Sequence, residues 1–123
     1  MARYPGLTLR ILGRRFPAIG PGKAELLERI EQTGSISAAA REMDMSYRRA
    51  WQLVDSLNAA FVRPLVSTAI GGKRGGGAQV TDLGRDVLAR FRKIESTASR
   101  AISQDIERFS GLLKPPPARS KKR

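Results

Sequence analysis

The spacing of apolar residues changes along the chain, and each spacing predicts a different kind of element. Residues 7–12 (LTLRIL) alternate between apolar and polar positions, which predicts one short N-terminal strand followed by a loop over residues 13–20. From Pro21 the apolar positions recur every three or four residues, which predicts an amphipathic helix that ends at Gly34 in a left-handed cap. The polar residues of this helix are expected to face mainly outward: Lys23, Glu25, Glu28, Arg29 and Gln32.

Two further helices follow in close succession. Ser35 or Ser37 can cap a helix of about two turns that runs through three alanines, residues 38–40, to Met43. Asp44 and Met45 interrupt the pattern, and Ser46 can cap a third helix over about residues 47–61. Pro64 stops that helix, so two helices are predicted to meet at a tight turn.

The third helix separates its apolar and polar side chains. A rotation of roughly 100° per residue places one set of side chains on an inner arc: Tyr47, Ala50, Trp51, Val54, Leu57 and Phe61. The opposite arc carries Arg48, Arg49, Gln52 and Ser56. An alanine-rich helix, a short turn and a second helix with basic and amide side chains are typical of a helix-turn-helix that reads the DNA major groove. The alternative is an ordinary helical hairpin whose arginines are only solvated.

A glycine-rich hairpin is predicted after the third helix. Residues 65–70 and 78–81 are prone to form strands, and GGKRGGG between them forms a long tip. Lys73 and Arg74 in this tip can reach a phosphate or the minor groove, as the wing of a DNA-binding domain does. A nucleotide-binding loop is a poor match, because the lysine precedes the last three glycines and a strand follows.

The remaining apolar pattern predicts one long helix. It begins after Thr81 or Asp82, continues to about Phe109 and would span roughly 40 Å, more than a small winged core can cover. We expect a second copy of the chain to cover the surplus apolar stripe. The alternative is two shorter helices, broken near residues 96–99 and folded onto their own core. The predicted dimerisation residues are Phe91, Ile94, Ala98, Ile102 and Phe109.

Composition restricts the possible functions. The net charge of +12 and the isoelectric point of about 11.4 favour polyanionic partners. The absence of cysteine removes thiolate nucleophiles and sulfur-rich zinc sites, and the absence of histidine removes the commonest general base and metal ligand, so no cofactor, metal site or enzymatic activity is expected. The carboxylates at positions 25, 28, 31 and 42 lie on helices rich in compensating charge. No apolar run is long enough to span a membrane or to serve as a signal peptide, which favours a cytoplasmic location.

Several segments resemble the N-terminal DNA-binding domain of ModE-type, molybdate-responsive regulators, a winged helix-turn-helix similar to that of LysR-type regulators. They are TGSISAAAREMDMSYRRAWQLVDSLN, PLV and GGKRGGGAQVTDLGRDVL, and the match covers most of residues 7–110. The resemblance implies a homodimeric transcription regulator that binds palindromic operator DNA. It implies that Lys73 and Arg74 lie at the wing. It also implies that five residues approach the groove: Ser46, Tyr47, Arg48, Arg49 and Gln52.

The chain departs from ModE-type regulators at its C-terminus. Those proteins continue into oxyanion-binding domains where this chain has KPPPARSKKR, so molybdate sensing within this chain is not expected. The chain is interpreted as a stand-alone DNA-binding form, regulated by abundance, by an unidentified effector or by a protein partner, or as a fragment of a longer regulator.

The sequence thus predicts a mainly α fold with a small β hairpin: a winged helix-turn-helix with a long C-terminal dimerisation helix. Residues 1–81 form the DNA-binding domain, residues 82–110 the dimerisation helix, and residues 111–123 a disordered basic, proline-rich tail. The predicted function is sequence-specific binding of double-stranded DNA by a homodimeric transcription regulator. The alternatives are a low-specificity, nucleoid-type DNA-binding protein and a protein-interaction module that does not bind DNA.

Overall fold

Five helices and two antiparallel strand pairs make up the part of the chain that the computed structural model describes, residues 6–68, 77–115 and 117. The prediction of a mainly α, winged helix-turn-helix fold is confirmed. The elements in chain order are β1 (Ile11–Leu12), β2 (Pro17–Ile19), α1 (Pro21–Thr33), α2 (Ile36–Glu42), α3 (Tyr47–Ala60), β3 (Val66–Thr68), β4 (Ala78–Val80), α4 (Asp82–Ala101) and α5 (Ser103–Ser110).

The N-terminal segment forms a hairpin rather than the single strand predicted over residues 7–12. Only β1 is strand within that segment, and it pairs with β2, which lies in the region predicted to be a loop. The amide of Gly13 donates to the carbonyl of Phe16 at 2.9 Å and closes the turn. Ala18 and Ile19 are buried, so β2 is anchored by the core as well as by β1.

Local capping sets the bounds of the first helices as the sequence predicted. Gly34 ends α1 with a φ of 69°, a left-handed conformation that favours glycine. The hydroxyl of Ser35 then accepts from the amide of Ala38 at 3.0 Å and starts α2. These two adjacent caps turn the chain sharply between α1 and α2.

One apolar core joins the helices to the β3–β4 hairpin. Helices α1, α2 and α3 pack on one another through side chains that are almost completely buried, and Phe91 of α4 closes the core from the other side. The largest fully buried side chains are Phe91, Leu26, Leu27, Ile30, Leu57, Leu65 and Val54.

The predicted wing hairpin is confirmed at its base. Strands β3 and β4 pair in register, with Val66 opposite Val80 and Thr68 opposite Ala78. The side chain of Asn58 on α3 holds the start of β3, because its oxygen accepts from the amides of Leu65 and Val66. Residues 69–76 lie outside the described residues, and with them the predicted contacts of the wing tip.

The predicted continuous helix to Phe109 is wrong. Helix α4 ends at Ala101, and α5 begins at Ser103 after a break at Ile102, whose ψ of 15° departs from helical geometry. The hydroxyl of Ser103 donates to the carbonyl of Arg100 and competes with the regular helical ladder there. The alternative of two helices folded onto the core also fails, because the break lies beyond residues 96–99 and α5 has no buried residue.

The segment after α5 is only partly described. Gly111, Leu112 and Leu113 continue as a turn, and most of the basic tail predicted from residue 111 lies outside the described residues. Within the described ranges, no helix is both long and apolar enough to cross a membrane.

Candidate nucleic-acid interface

A four-residue turn, residues 43–46, joins α2 to α3. Asp44 adopts a positive φ of 55°, and the amide of Met45 donates to the carbonyl of Ala40 at 3.0 Å. The hydroxyl of Ser46 accepts from the amide of Arg49 at 3.0 Å and caps α3, as predicted. The predicted helix-turn-helix geometry is therefore present.

Small side chains hold α2 and α3 close together. Ala39, Ala40 and Ala50 are all almost completely buried where the two helices meet. Alanine lets two helix backbones approach closely, so larger side chains here would push α3 away from α2. The buried alanines thus allow α3 to pack directly on α2.

The N-terminal half of α3 presents a basic and amide surface to solvent. Arg48, Arg49 and Gln52 are exposed, as the helical period predicted. Neither arginine has a carboxylate within 4 Å among the residues that the structure describes, and the first turn of α3 contains no acidic residue. Both guanidinium groups can therefore bind an external anion or a base edge.

The prediction that both aromatic residues of α3 face inward is wrong for Tyr47. Its side chain is 55% exposed and packs against the half-buried Trp51 edge to face, with ring centroids 6.2 Å apart. Tyr47 is the first residue of α3, and the helix reaches the core only one turn later, at Ala50. The phenol therefore lies at the same exposed helix end as the arginines.

The structure brings together five of the seven residues predicted for DNA contact. Ser46, Tyr47, Arg48, Arg49 and Gln52 all lie within the first two turns of α3 or at its cap. Lys73 and Arg74, the other two, lie outside the described residues.

Sequence reasoning missed a second group of cations beside α3. Lys23 on α1 was predicted to face outward, but it is half-buried and donates to the carbonyl of Pro17 and to the hydroxyl of Ser56 on α3, at 3.1 and 2.8 Å. Burial lowers the pKa of Lys23, and the nearby charges of Arg10 and Arg49 lower it further. No local pattern joins residues 10, 23 and 49, so only the tertiary structure reveals this group.

The predicted dimerisation residues divide into two sets. Phe91 is 1% exposed within its own chain, because it fills the core under α4, and its assignment to a dimer seam is therefore wrong. Ile94 and Phe109 are 45% and 61% exposed, while Ala98 and Ile102 are half-buried. These four side chains remain candidates for contact with a second copy.

The helix carboxylates pair with basic side chains, as the sequence predicted. Glu25 and Glu42 bind Arg29, Glu28 binds Arg92, and Glu31 lies 3.5 Å from Arg85. In the described part of the chain, acidic side chains form no cluster of three or more able to hold a metal ion.

The helix-turn-helix and the start of α4 match a known family. The model of the bacterial regulatory helix-turn-helix protein, lysR family, matches residues 22–85. This segment includes α1, the whole helix-turn-helix and the β3–β4 hairpin.

Curated relatives carry molybdenum-related names. The chain is 42% identical over 86 residues to the molybdenum-pterin-binding protein MopA of Rhodobacter capsulatus, which covers 70% of this chain and 32% of that protein. It is 39% identical over 93 residues to the molybdenum transport protein ModE of Azotobacter vinelandii, with 76% and 34% covered. It is 33% identical over 102 residues to the DNA-binding transcriptional dual regulator ModE of Escherichia coli K12, with 80% and 38% covered. The chain thus spans about a third of the length of these relatives, and the resemblance to ModE-type regulators is confirmed.

Proposed function

This chain belongs to the family of bacterial regulatory helix-turn-helix proteins of the LysR type, and we propose that it is a sequence-specific transcription regulator of the ModE type that binds operator DNA as a homodimer. Relatives named transcriptional regulators, such as ModE of Haemophilus influenzae, support the regulatory role. The single observation that carries the proposal is the exposed basic surface at the start of α3, whose two arginines have no carboxylate partner among the described residues.

Helix α3 would read bases from the major groove. Its exposed end carries Arg48 and Arg49, which can fork to guanine, and Gln52, which can pair with adenine. Tyr47 and the hydroxyl of Ser46 lie at the same end and can contact the flanking phosphates. The rigid cap at Ser46 and the close packing on α2 keep this end in one orientation, which base readout requires.

The wing would add phosphate contact. Lys73 and Arg74 belong to the glycine-rich segment between β3 and β4, and glycine gives little geometric control for base readout. We assign them to the DNA backbone, where they add affinity that depends on salt.

A second copy would pack against α4 and α5. Ile94 and Phe109 are exposed and Ile102 is half-buried, while Leu112 just beyond α5 is 83% exposed. An exposed apolar row of this kind is unfavourable in water unless a partner covers it. One α3 reaches only a few base pairs, so two copies at fixed spacing would supply the affinity of a regulator.

The experiment starts by selecting bound sequences from a random DNA pool with the full chain. We expect a palindromic site that binds at least about a thousandfold tighter than random DNA at matched salt, as sequence-specific regulators do. A low-specificity DNA-binding protein would yield no such site, and a protein-interaction module would show no salt-dependent binding to DNA at all. Either result would contradict the proposed function.

The dimer is tested on the same selected site. Sedimentation should give a dimer for the wild type and a shift toward monomer for Ile102→Asp, because the aspartate would place a charge in the seam. Ala101→Asp, on an exposed neighbouring position, is the matched control and should stay dimeric. A wild type that remains monomeric at micromolar concentration and binds a half-site as tightly as the whole palindrome would exclude the dimer.

A further inference from the structure

A cavity of about 780 Å³ lies between the β1–β2 hairpin, the start of α1 and the side of α3. Pockets for small organic ligands have volumes of about 300–1,000 Å³, so this cavity is large enough for one. It lies beside the exposed basic surface of α3, and Arg49 and Gln52 of that helix form part of its lining. A ligand here would therefore contact residues that the proposed function assigns to DNA.

Three cations from three separate elements line this cavity. Arg10 precedes β1, Lys23 lies in the first turn of α1, and Arg49 lies in the first turn of α3. None of them has a carboxylate within 4 Å in the described ranges, and Asp55 is the one acidic residue in the lining. The cavity therefore has a positive charge that the protein itself does not neutralise.

Two hydrogen bonds hold the ammonium of Lys23 in the cavity beside the two arginines. Its ammonium donates to the carbonyl of Pro17 and to the hydroxyl of Ser56, which leaves one of three hydrogens for a further acceptor. Its pKa is lowered by burial first, and then by the charges of Arg10 and Arg49. Lys23 is thus close enough to both arginines to be repelled by them, and an anion bound beside it would offset this repulsion.

Much of the remaining wall is apolar, so a ligand that binds tightly must also cover apolar side chains. Phe16 and Ile19 from the hairpin lie on one side, and Met45 and Leu53 from the helix-turn-helix lie on the other. A bare inorganic anion would leave the exposed parts of Phe16, Met45 and Leu53 in contact with water. A carboxylate with an aromatic or branched body would cover them and gain the free energy of apolar burial.

We propose that this cavity binds a small organic anion, with the carboxylate held by Arg10, Lys23 and Arg49 and the apolar body against Phe16 and Leu53. Bound anion holds Arg49 in the cavity and withdraws it from DNA, so it lowers operator affinity. Binding of the anion stands by itself, whereas this effect on the operator rests on the proposed function.

The first experiment compares three probes with the full chain by calorimetry and by amide chemical shifts. Benzoate has the charge and the apolar ring, benzamide has the ring without the charge, and inorganic phosphate has charge without the ring. We expect saturable benzoate binding at least about tenfold tighter than binding of either other probe, with shifts at residues that line the cavity.

The matched variants are Gly22→Asp and Gly22→Asn. Gly22 lines the cavity, and a side chain added there would meet no atom within 4 Å. Aspartate in the first turn of a helix favours the helix, so Gly22→Asp should remain folded while its carboxylate competes with the ligand. Benzoate affinity should fall about tenfold in Gly22→Asp and in Arg10→Gln, and much less in the neutral Gly22→Asn.

Each outcome decides the proposal. Equal binding of benzamide would mean that the cations play no part, and equal binding of phosphate would mean that the apolar wall plays no part. Either result overturns the proposal, as does unchanged benzoate affinity in both Gly22→Asp and Arg10→Gln.

On the selected operator, saturating benzoate should weaken the DNA affinity of the wild type about tenfold and leave that of Gly22→Asp unaffected. Unchanged operator affinity with benzoate bound would overturn the coupling, whereas benzoate binding without any operator preference would contradict the proposed function alone.

Discussion

Helices α3 and α4 both carry several arginines, but they use them differently. On α4, Arg85, Arg90 and Arg92 each bind at least one carboxylate. On α3, Arg48 and Arg49 bind none among the described residues. The same residue type therefore contributes to the fold in one helix and is left available to a ligand in the other.

The acidic residues explain this difference. All eleven carboxylates of the chain lie in the described residues, and the ion pairs take up seven of them, on α1, α2 and α4: Glu25, Glu28, Glu31, Glu42, Asp82, Asp86 and Glu95. Helix α3 contributes a single acidic residue, Asp55. Among the described residues, the arginines and lysines without a carboxylate partner therefore lie mostly outside the α1–α4 contact.

The contact of α4 with the wing gives the largest expected change in stability. A Cβ added at Gly84 would clash with the carbonyl oxygen of Leu65 and lie 2.7 Å from the side chain of Val80. Because a backbone oxygen cannot move aside easily, Gly84→Ala should lower the free energy of unfolding by about 3 kcal/mol. Chemical denaturation measures this loss. The substitution itself leaves the exposed side chains of α3 unchanged.

Gly22→Ala is the matched control for Gly84→Ala. It also places an alanine in a helix, but the added methyl meets nothing within 4 Å. Its free energy of unfolding should rise by about 0.5 kcal/mol, since alanine restricts the unfolded chain more than glycine does. Equal stability of the two variants would show that α4 does not pack closely on the wing.

Replacement of Arg48 or Arg49 on α3 should give the next largest effect. This effect should be on DNA affinity and not on stability. Arg48→Ala or Arg49→Ala should cost about 1–3 kcal/mol of binding free energy at the selected operator and relax the preference at one base pair. Neither substitution removes an ion pair among the described residues, so the free energy of unfolding should stay within about 0.5 kcal/mol of the wild-type value. Competition binding with operator and random DNA measures the affinity and the base preference, and chemical denaturation measures the stability.

Arg90→Ala is the control for that comparison. Arg90 is exposed and pairs with Asp86 on α4, so its removal should change operator affinity less than either substitution on α3. If Arg48→Ala and Arg49→Ala weakened operator and random DNA equally, they would be phosphate contacts and the assignment to base readout would be wrong.

Local signals carried most of the sequence prediction. Gly34 and Ser46 occupy the caps that the sequence predicted, and Ser35 and Thr81 are each one of the two candidates that it offered, because a cap depends on a few neighbouring residues. The exposed arginines of α3 followed from helical period for the same reason. The fold class and the exposed basic end of α3 were therefore predictable.

The features that the sequence did not predict depend on tertiary contacts. Strand β2 has only three residues, too few for a period, and the burial of Ala18 and Ile19 stabilises it. Phe91 repeats with the apolar stripe of α4, and the period alone cannot tell a core position from a seam position. The cation group of the cavity joins three elements, so no local spacing could reveal it.

The smallest predicted effect concerns the arginines of α4, which bind carboxylates. Arg92 donates twice to Glu28 on α1, at 3.0 and 2.8 Å, and once to Glu95 on its own helix. These hydrogen bonds, that to Glu28 above all, raise the pKa of Arg92. Its side chain is 38% exposed, so solvent screens much of the attraction, and Arg92→Gln should cost only about 0.5–1 kcal/mol of unfolding free energy.

The control for Arg92 is its neighbour Lys93, which is exposed and has no carboxylate within 4 Å in the part of the chain that the structure describes. Lys93→Gln removes the same charge, so both variants should lose the same nonspecific attraction for DNA, and Arg92→Gln alone should lower stability. High salt should reduce the difference in stability between the two variants, because it screens half-exposed ion pairs. Were Lys93→Gln to lower stability as much as Arg92→Gln, total charge rather than the pair with Glu28 would stabilise α4 on α1.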